Sequence, residues 1–139
     1  MRQEVRQALG IDASSTMEDR TIDITTMGRR SGELRRIEIV FYRVDDDIYL
    51  SGIPGPTRNW LGNMTANPNF TFHLKNSLVA DLPATATPIV DPAERSRVLG
   101  VLVEEFNNRR GTDSPWPEAV LDEWVERSPL AKVTFKGND

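Results

Sequence analysis

The sequence predicts an α+β fold built on a small antiparallel β-barrel with flanking helices. Polar and apolar residues alternate with a period of two in several segments, which is the pattern of half-buried β-strands. Short turn sequences join these segments, as in antiparallel meanders, and the strand–helix–strand rhythm that builds parallel sheets is missing. Strand segments also outnumber helical ones, which favours a barrel over a helical bundle.

The first half of the chain is predicted to form a three-stranded meander. Residues 1–10 are predicted as a short helix that ends at a glycine, and residues 12–19 as a polar linker. The alternating segments predict strands at 21–26, 34–44 and 48–51. The glycine-bounded run 27–32 and the acidic run 45–47 are the turns that join them.

The second half is predicted to continue with a short helix, two strands, two longer helices and a last strand. Asn67-Pro68 should end the short helix, and Asp91-Pro92 has the N-cap and first-turn residues that begin the next one. Trp116, Val120 and Trp124 are expected on the apolar side of the last helix. The predicted bounds are a loop at 52–56, helices at 58–66, 91–110 and 114–128, and strands at 70–75, 78–89 and 130–136.

Length and composition indicate one globular domain. The chain has 139 residues, of which 38% are hydrophobic and 27% are charged, and this suits a single core. We therefore assign residues 1–139 to one domain, with residues 1–18 as an N-terminal extension. The sequence contains no cysteine, which excludes disulfides, thiolate metal sites and cysteine nucleophiles.

The sequence also predicts where the protein works. The first residues are charged and lack the apolar region of a secretory signal, and apolar runs such as 98–103 are much shorter than a membrane span of about twenty residues. We expect a soluble, cytoplasmic protein, with peripheral association at a membrane surface left open. The net charge of −4 argues against nucleic acid as a partner.

The positive charge is concentrated in one turn. Arg29, Arg30, Arg35 and Arg36 lie in or next to the run 27–32, and arginine binds phosphate and carboxylate groups with a rigid fork of donors. The glycines of this turn could let backbone N–H groups converge on an anion. A solvated hairpin tip that protects a sheet edge would have a similar composition. Because side chains alternate along a strand, at most one of Arg35 and Arg36 should face a given ligand.

A second segment has a composition suited to a planar ligand. Trp60 follows a loop rich in glycine and proline and stands at the start of a short helix, where an aromatic ring and free N–H groups meet. Trp60 and Met64 are also four residues apart, as core residues of a helix would be. The sequence around Trp60 leaves both interpretations open.

Together the two segments resemble one family. The run ITTMGRRSGELR at 24–35 is similar to the strand–turn–strand signature of the deazaflavin (F420)-dependent nitroreductases and quinone reductases. The run WLGNMTANP at 60–68 resembles the Trp-x-x-Asn-x-x-Ala-Asn-Pro segment of the same family, position for position. The resemblance implies a split antiparallel β-barrel, related to flavin reductases and to pyridoxamine-phosphate-oxidase-like proteins, with coenzyme F420 as the cofactor.

The resemblance also implies which residues bind the cofactor. The turn would hold its charged tail, the next strand would line the site, a loop would cover the ring and the helix start would flank it. In that order the expected cofactor-binding residues are Arg29, Arg30, Ser31, Arg35, Arg36, Ile37, Glu38, Ile39, Val40, Ser51, Gly52, Ile53, Pro54, Arg58, Asn59, Trp60, Leu61, Gly62 and Asn63. The loop departs from the family, since the segment 53–56 lacks the usual serine and lysine; Arg58 is the candidate replacement for that charge.

The implied activity is transfer of a hydride from reduced F420 to a small electron-poor acceptor: a quinone, a nitro-compound or an α,β-unsaturated carbonyl. The alternatives are an FMN-dependent oxidoreductase on the same barrel and a non-catalytic protein that binds F420, a flavin or a tetrapyrrole. A monomer is favoured, because short members of the family are often monomeric.

Few other side chains are candidates for the chemistry. Tyr49, Trp60 and Trp116 could line the acceptor side, although only Trp60 belongs to a family motif. His73, the only histidine, is predicted on the solvent-facing side of its strand and is not assigned a catalytic role. The sequence predicts no metal site and identifies no catalytic side chain.

Overall fold

The predicted barrel is confirmed by a computed structural model, which describes residues 1–137. Its strands are β1 (Thr21–Met27), β2 (Leu34–Val44), β3 (Asp47–Ser51), β4 (Asn69–Lys75), β5 (Val79–Pro88) and β6 (Leu130–Phe135). All neighbouring pairs are antiparallel and follow the order β1–β2–β3–β6–β5–β4, with β4 closing onto β1. The meander from β1 to β3 is therefore one side of a closed barrel.

The helices flank the barrel, and two of them differ from the sequence prediction. They are α1 (Gln3–Leu9), α2 (Met17–Arg20), α3 (Asn59–Ala66), α4 (Pro92–Arg109) and α5 (Leu121–Arg127). The short α2 lies in the segment predicted as a linker. Thr16 Oγ1 accepts from the Asp19 N–H at 3.1 Å and the Asp19 carboxylate accepts from the Thr16 N–H at 2.9 Å, which is a capping box.

The last helix is shorter than predicted. Residues 114–120 are not helical, because Trp116 precedes Pro117 and a residue before proline disfavours the helical conformation. The Asn107 side chain instead fixes the backbone at Ala119, accepting from its N–H at 2.7 Å and donating to its carbonyl at 3.1 Å. Trp116 is 53% exposed as a result, and of the predicted apolar residues only Trp124 is buried.

The structure has two hydrophobic clusters, and successive side chains of β2 point alternately into one and the other. Phe41 points into the barrel and meets Phe72 edge to face, with ring centroids 5.3 Å apart. Tyr42 belongs to the second cluster, which α4 and α5 cover. Side chains of helices α1 and α3 complete the barrel cluster. Trp60 and Met64 of α3 are among them, which agrees with the interpretation that they are core residues of a helix. No helix within residues 1–137 is both long enough and apolar enough to cross a membrane.

His73 is buried, so the prediction that it faces solvent was wrong. It is only 7% exposed, because neighbouring side chains on the outer surface of the barrel enclose it. His73 Nε2 lies 2.7 Å from Thr25 Oγ1, and His73 Nδ1 lies 2.7 Å from Asp81 Oδ1. The hydrogen bond from His73 holds the pKa of Asp81 below its usual value.

Asp23 joins three strands on the same outer surface. Its carboxylate accepts from Lys75 Nζ at 2.7 Å and from Arg36 Nε at 2.9 Å, while Lys75 also contacts Glu38. These hydrogen bonds, with that from Lys75 the stronger, lower the pKa of Asp23 below its usual value.

Asp23→Asn should therefore lower stability at neutral pH and not in strong acid. A carboxylate with a lowered folded-state pKa stabilises the fold above its unfolded pKa of about 3.9, and this contribution is lost as pH falls through the folded value. Urea unfolding at several pH values should show a gap between wild type and variant that closes below about pH 3. Asp46→Asn, at a carboxylate 96% exposed, is the control. A gap that persists in acid would contradict this account.

Candidate functional site

The two sequence motifs meet at one cavity of about 640 Å³. The turn between β1 and β2 forms one wall, and the first turn of α3 forms the other. We call this the arginine cavity; its lining residues are Thr26, Gly28, Arg29, Arg30, Ser31, Arg35, Ile37, Arg58, Asn59, Trp60 and Asn63. Residues more than twenty positions apart in the chain are thus brought together, because β1 pairs with both β2 and β4 and α3 packs against β1.

The turn is held by hydrogen bonds within itself. The Gly28 N–H donates to the Glu33 carbonyl at 2.8 Å, and the Gly32 N–H donates to the Gly28 carbonyl at 2.9 Å. Gly32 has a φ of +71°, which suits glycine, and a Cβ at Gly28 would lie 2.6 Å from Ser31 Oγ. Because both glycine N–H groups donate inside the turn, these two groups are not free to bind an anion.

Asn63 fastens the turn to α3. Its Oδ1 accepts from the Arg29 N–H and from Arg29 Nη1, each at 3.1 Å, and its Nδ2 donates to Thr26 Oγ1 at 3.1 Å. The Arg29 guanidinium lies on Gly62, where a Cβ would approach Nη1 to 2.9 Å. Arg29 is thus held between α3 and the turn, and a side chain at position 62 would displace it.

Strand alternation divides the predicted residues of β2. Arg35 and Ile37 face the arginine cavity, whereas Arg36 and Glu38 lie on the outer surface with Asp23 and Lys75. Ile39 packs against the barrel cluster, and Val40 packs against the cluster under α4 and α5. The structure therefore does not bring Arg36, Glu38, Ile39 and Val40 into the cavity.

The loop after β3 does not line the arginine cavity, although the Ile53 carbonyl accepts from Arg58, which does. Ser51 is buried and its hydroxyl donates to the Pro129 carbonyl at 2.6 Å. Ile53 and Pro54 face a separate apolar pocket beside Trp116 and Trp124. The position of this loop follows from the pairing of β3 with β6, which places Ser51 opposite Leu130 and so next to Pro129.

Arg58 lines the arginine cavity. Its Nη2 donates to the Ile53 carbonyl at 2.6 Å and its Nη1 donates to the Pro56 carbonyl at 3.0 Å. A Cβ at Gly52 would come within 3.1 Å of this guanidinium, so glycine there leaves room for it. Gly52, Leu61 and Gly62, also predicted as cofactor residues, do not line the cavity.

The cavity combines positive charge with an apolar wall. Arg30, Arg35 and Arg58 line it, and within residues 1–137 the only carboxylate at ion-pair distance from them is Glu33, 3.6 Å from Arg35. Trp60 and Ile37 supply the apolar part. Guanidinium groups beside an aromatic side chain suit a ligand with an anionic tail and a planar ring.

Two residues that line the cavity were not predicted, and two predicted aromatic residues lie outside it. Thr26 and Gly28 line the cavity, and the sequence signal for them was the Thr-Thr-x-Gly run of the first motif. Tyr49 is 1% exposed within the cluster under α4, so it is not on the acceptor side of the cavity. Trp116 lines the separate apolar pocket with Ile53 and Pro54.

Solved structures share the fold at low sequence identity. A conserved hypothetical protein from Mycobacterium tuberculosis is 16% identical, with a TM-score of 0.65 over 98% of this chain and 82% of its own. An FAD-binding protein from Mesorhizobium loti is 10% identical, with a TM-score of 0.62 over 98% and 90%. A structure described as an F420-H2 dependent reductase is 16% identical, with a TM-score of 0.53 over 82% and 93%. No curated protein matches the sequence.

Most of the sequence matches one family model. The model of the F420H(2)-dependent quinone reductase family matches residues 2–123, a span that contains both motifs and every residue that lines the arginine cavity. The chain therefore belongs to the F420H(2)-dependent quinone reductase family, which confirms the predicted oxidoreductase class and the predicted F420 cofactor.

Proposed function

We propose that the chain binds reduced F420 in the arginine cavity and transfers its hydride to a small electron-poor acceptor, with quinones as the leading class. The observation that carries this proposal is the meeting of Arg30, Arg35 and Arg58 around one cavity with Trp60 in its wall. Nitro-compounds and α,β-unsaturated carbonyls are further acceptors, since they also take a hydride at an electron-poor centre.

The charges of the cavity suit the two parts of this cofactor. F420 carries a phosphate and a glutamate-bearing tail, so several negative charges need cationic partners. We infer that Arg30 and Arg35 bind the tail and that Trp60 and Ile37 contact the ring. Charge-assisted hydrogen bonds of this kind add orientation as well as affinity, because the guanidinium fork is rigid.

The protein's part in the reaction is then to bind and to orient. The cofactor supplies the hydride when bound, and this chemistry needs no nucleophile or metal ligand from the chain. Trp60 is packed in the barrel cluster, and Asn63 joins the turn to α3, so both walls are formed without a ligand. The cavity is open to solvent, so water can supply the proton that the acceptor takes up after the hydride.

Two alternatives use the same cavity. FMN has one phosphate and no glutamate tail, so the four arginines that line the cavity exceed what it requires, although a structural neighbour is described as an FAD-binding protein. A non-catalytic carrier of F420, a flavin or a tetrapyrrole would bind its ligand with the same cavity residues. A binding measurement therefore does not distinguish a carrier from an enzyme, whereas a turnover measurement does.

The purified protein should bind F420 more tightly than FMN or haem, because only F420 has a tail that engages several arginines. Fluorescence or absorbance titration with each ligand measures the three affinities. Reduced F420 should then be oxidised on addition of menadione or a nitroaromatic, followed by the absorbance of oxidised F420. Binding of FMN alone would contradict the proposal, and F420 binding without turnover would identify a carrier.

The same preparation tests two remaining predictions. Sedimentation should give a monomer, as expected for the short form of the family.

The assignment of residues 1–139 to one domain also stays a prediction. Val5 and Leu9 of the N-terminal extension are buried in the barrel cluster, so a variant that lacks the first 18 residues should be less stable to urea.

A further inference from the structure

The apolar pocket beside Trp116 and Trp124 has no part in the proposed function. Its volume is about 200 Å³, which is less than a drug-sized ligand needs and suits a small one. It shares no lining residue with the arginine cavity. The pocket is therefore a separate binding space, and its ligand is independent of the cofactor.

Three aromatic side chains line this pocket. Trp124 is 4% exposed and packs against Phe106, with ring centroids 5.4 Å apart, so these two rings form its inner part. Trp116 lines it as well and is 53% exposed. The faces of aromatic rings carry partial negative charge, so a pocket lined by several rings attracts cations.

Hydrogen bonds hold the chain around Trp116 in its exposed position. The Trp116 N–H donates to Ser114 Oγ at 3.1 Å, and Pro117 follows directly. The Asn107 side chain makes two hydrogen bonds to the backbone of Ala119, at 2.7 and 3.1 Å. A ligand that entered the pocket would therefore cover an apolar ring that is already in position, which lowers the ordering cost of binding.

The pocket also carries negative charge without a cationic partner. Glu118 and Glu123 line it and are exposed, and no lysine or arginine within residues 1–137 lines it. Neither carboxylate forms an ion pair in the described part of the chain. Arg127, one helical turn after Glu123 in α5, lines a different cavity. The pocket is thus complementary to a ligand that is both cationic and apolar.

We propose that this pocket binds a small organic cation with a quaternary ammonium group. The methyl groups around such a charge suit the aromatic walls, and Glu118 and Glu123 suit the charge itself. A quaternary ammonium has no N–H group, so it loses fewer hydrogen bonds to water than a primary ammonium does when aromatic rings enclose it.

Choline is the probe, and the three tryptophans of the full chain report where it binds. In NMR titrations without cofactor, choline should shift the indole N–H signals of Trp116 and Trp124 in a saturable way. The signal of Trp60, which lines the arginine cavity, should stay unchanged. Single Trp→Phe variants assign the three signals.

Two analogues of choline test the charge. The neutral analogue with a tert-butyl group in place of the trimethylammonium group has the same shape and should bind about 3-fold more weakly or worse. Phosphocholine should also bind more weakly than choline, because its phosphate is repelled by the two carboxylates. This second comparison distinguishes a free cation from a phosphorylated head group.

Variants at exposed positions test the walls. Trp116→Leu should raise the Kd of choline about 2- to 5-fold, the effect of one exposed cation–π contact, and Trp116→Phe should raise it less. The double variant Glu118→Gln with Glu123→Gln should raise the Kd about 2- to 5-fold and make its salt dependence shallower. Glu104→Gln with Glu126→Gln changes the net charge equally outside the pocket and should leave the Kd unchanged. Because all these positions are exposed, the melting temperatures should stay close to that of wild type.

The proposal is overturned if choline shifts neither the Trp116 nor the Trp124 signal, or if choline and its neutral analogue bind equally well. It is also overturned if phosphocholine binds more tightly than choline, or if Trp116→Leu and the Glu118–Glu123 double variant keep the wild-type Kd. None of these measurements uses F420, so a failure here leaves the proposed function in place.

Discussion

Arg35→Ala should weaken F420 binding about 10- to 100-fold, the effect of one charge-assisted hydrogen bond, whereas Arg36→Ala should leave it nearly unchanged. The two arginines are adjacent in sequence and opposite in direction. Arg35 lines the arginine cavity, and Arg36 bonds Asp23 on the outer surface of the barrel. Both variants replace one arginine by alanine and so change the net charge equally. They differ only in which face of the strand loses its side chain.

Fluorescence titration of F420 at several salt concentrations measures this prediction. Wild-type affinity should fall steeply with salt, because guanidinium–anion attraction in an open cavity is screened. Arg35→Ala and Arg30→Ala should each make that dependence shallower, and Arg36→Ala should keep the wild-type slope. Equal losses at positions 35 and 36 would show that only the overall charge of the hairpin matters, and would remove Arg35 from the site.

Asn63→Ala should lower the free energy of unfolding by about 2 kcal/mol, since it leaves one buried and one partly buried hydrogen-bonding group without a partner. The groups concerned are the Arg29 N–H and the Thr26 hydroxyl, which Asn63 joins. The same change should weaken F420 binding, because the turn that presents Arg30 would no longer be held against α3. Urea unfolding and F420 titration of one preparation give both values.

Two further variants distinguish this bridge from a general loss of packing. Asn69→Ala, at an exposed residue of β4, should have little effect on either measurement. The double variant Asn63→Ala with Arg29→Ala should lose less than the sum of the single changes, because both remove the hydrogen bond from Arg29 Nη1 to Asn63 Oδ1. Additive losses would mean that Asn63 and the Arg29 guanidinium act independently, in contradiction to this hydrogen bond.

Much of the fold could be predicted from local sequence. Alternation in 21–26 and 34–44 gave the strands of the meander within a residue or two. Asp91-Pro92 gave the start of α4, and the Asp91 carboxylate accepts from the Glu94 N–H at 2.9 Å as its N-cap. Such signals act within a few residues, so no knowledge of the rest of the chain was needed to interpret them.

The errors arose where distant contacts decide the outcome. His73 alternates with apolar residues and so reads as exposed, yet Thr25 and Asp81 on the neighbouring strands enclose it. Ser114–Val120 reads as the first turns of a helix, yet Asn107 of α4 holds that backbone in an irregular form. A contact between residues far apart in sequence leaves no periodic pattern to detect.

The sequence by itself determined the antiparallel strands, the arginine turn and the family to which the chain belongs, because each depends on residue types at short, fixed spacing. Only the tertiary structure decided that Arg35 lines the arginine cavity while Arg36 bonds Asp23 on the outer surface, that the Ser51 hydroxyl is buried against Pro129 and that Arg58 lines the arginine cavity. These outcomes depend on strand register and barrel closure, which fix the direction of a side chain only when all six strands have paired.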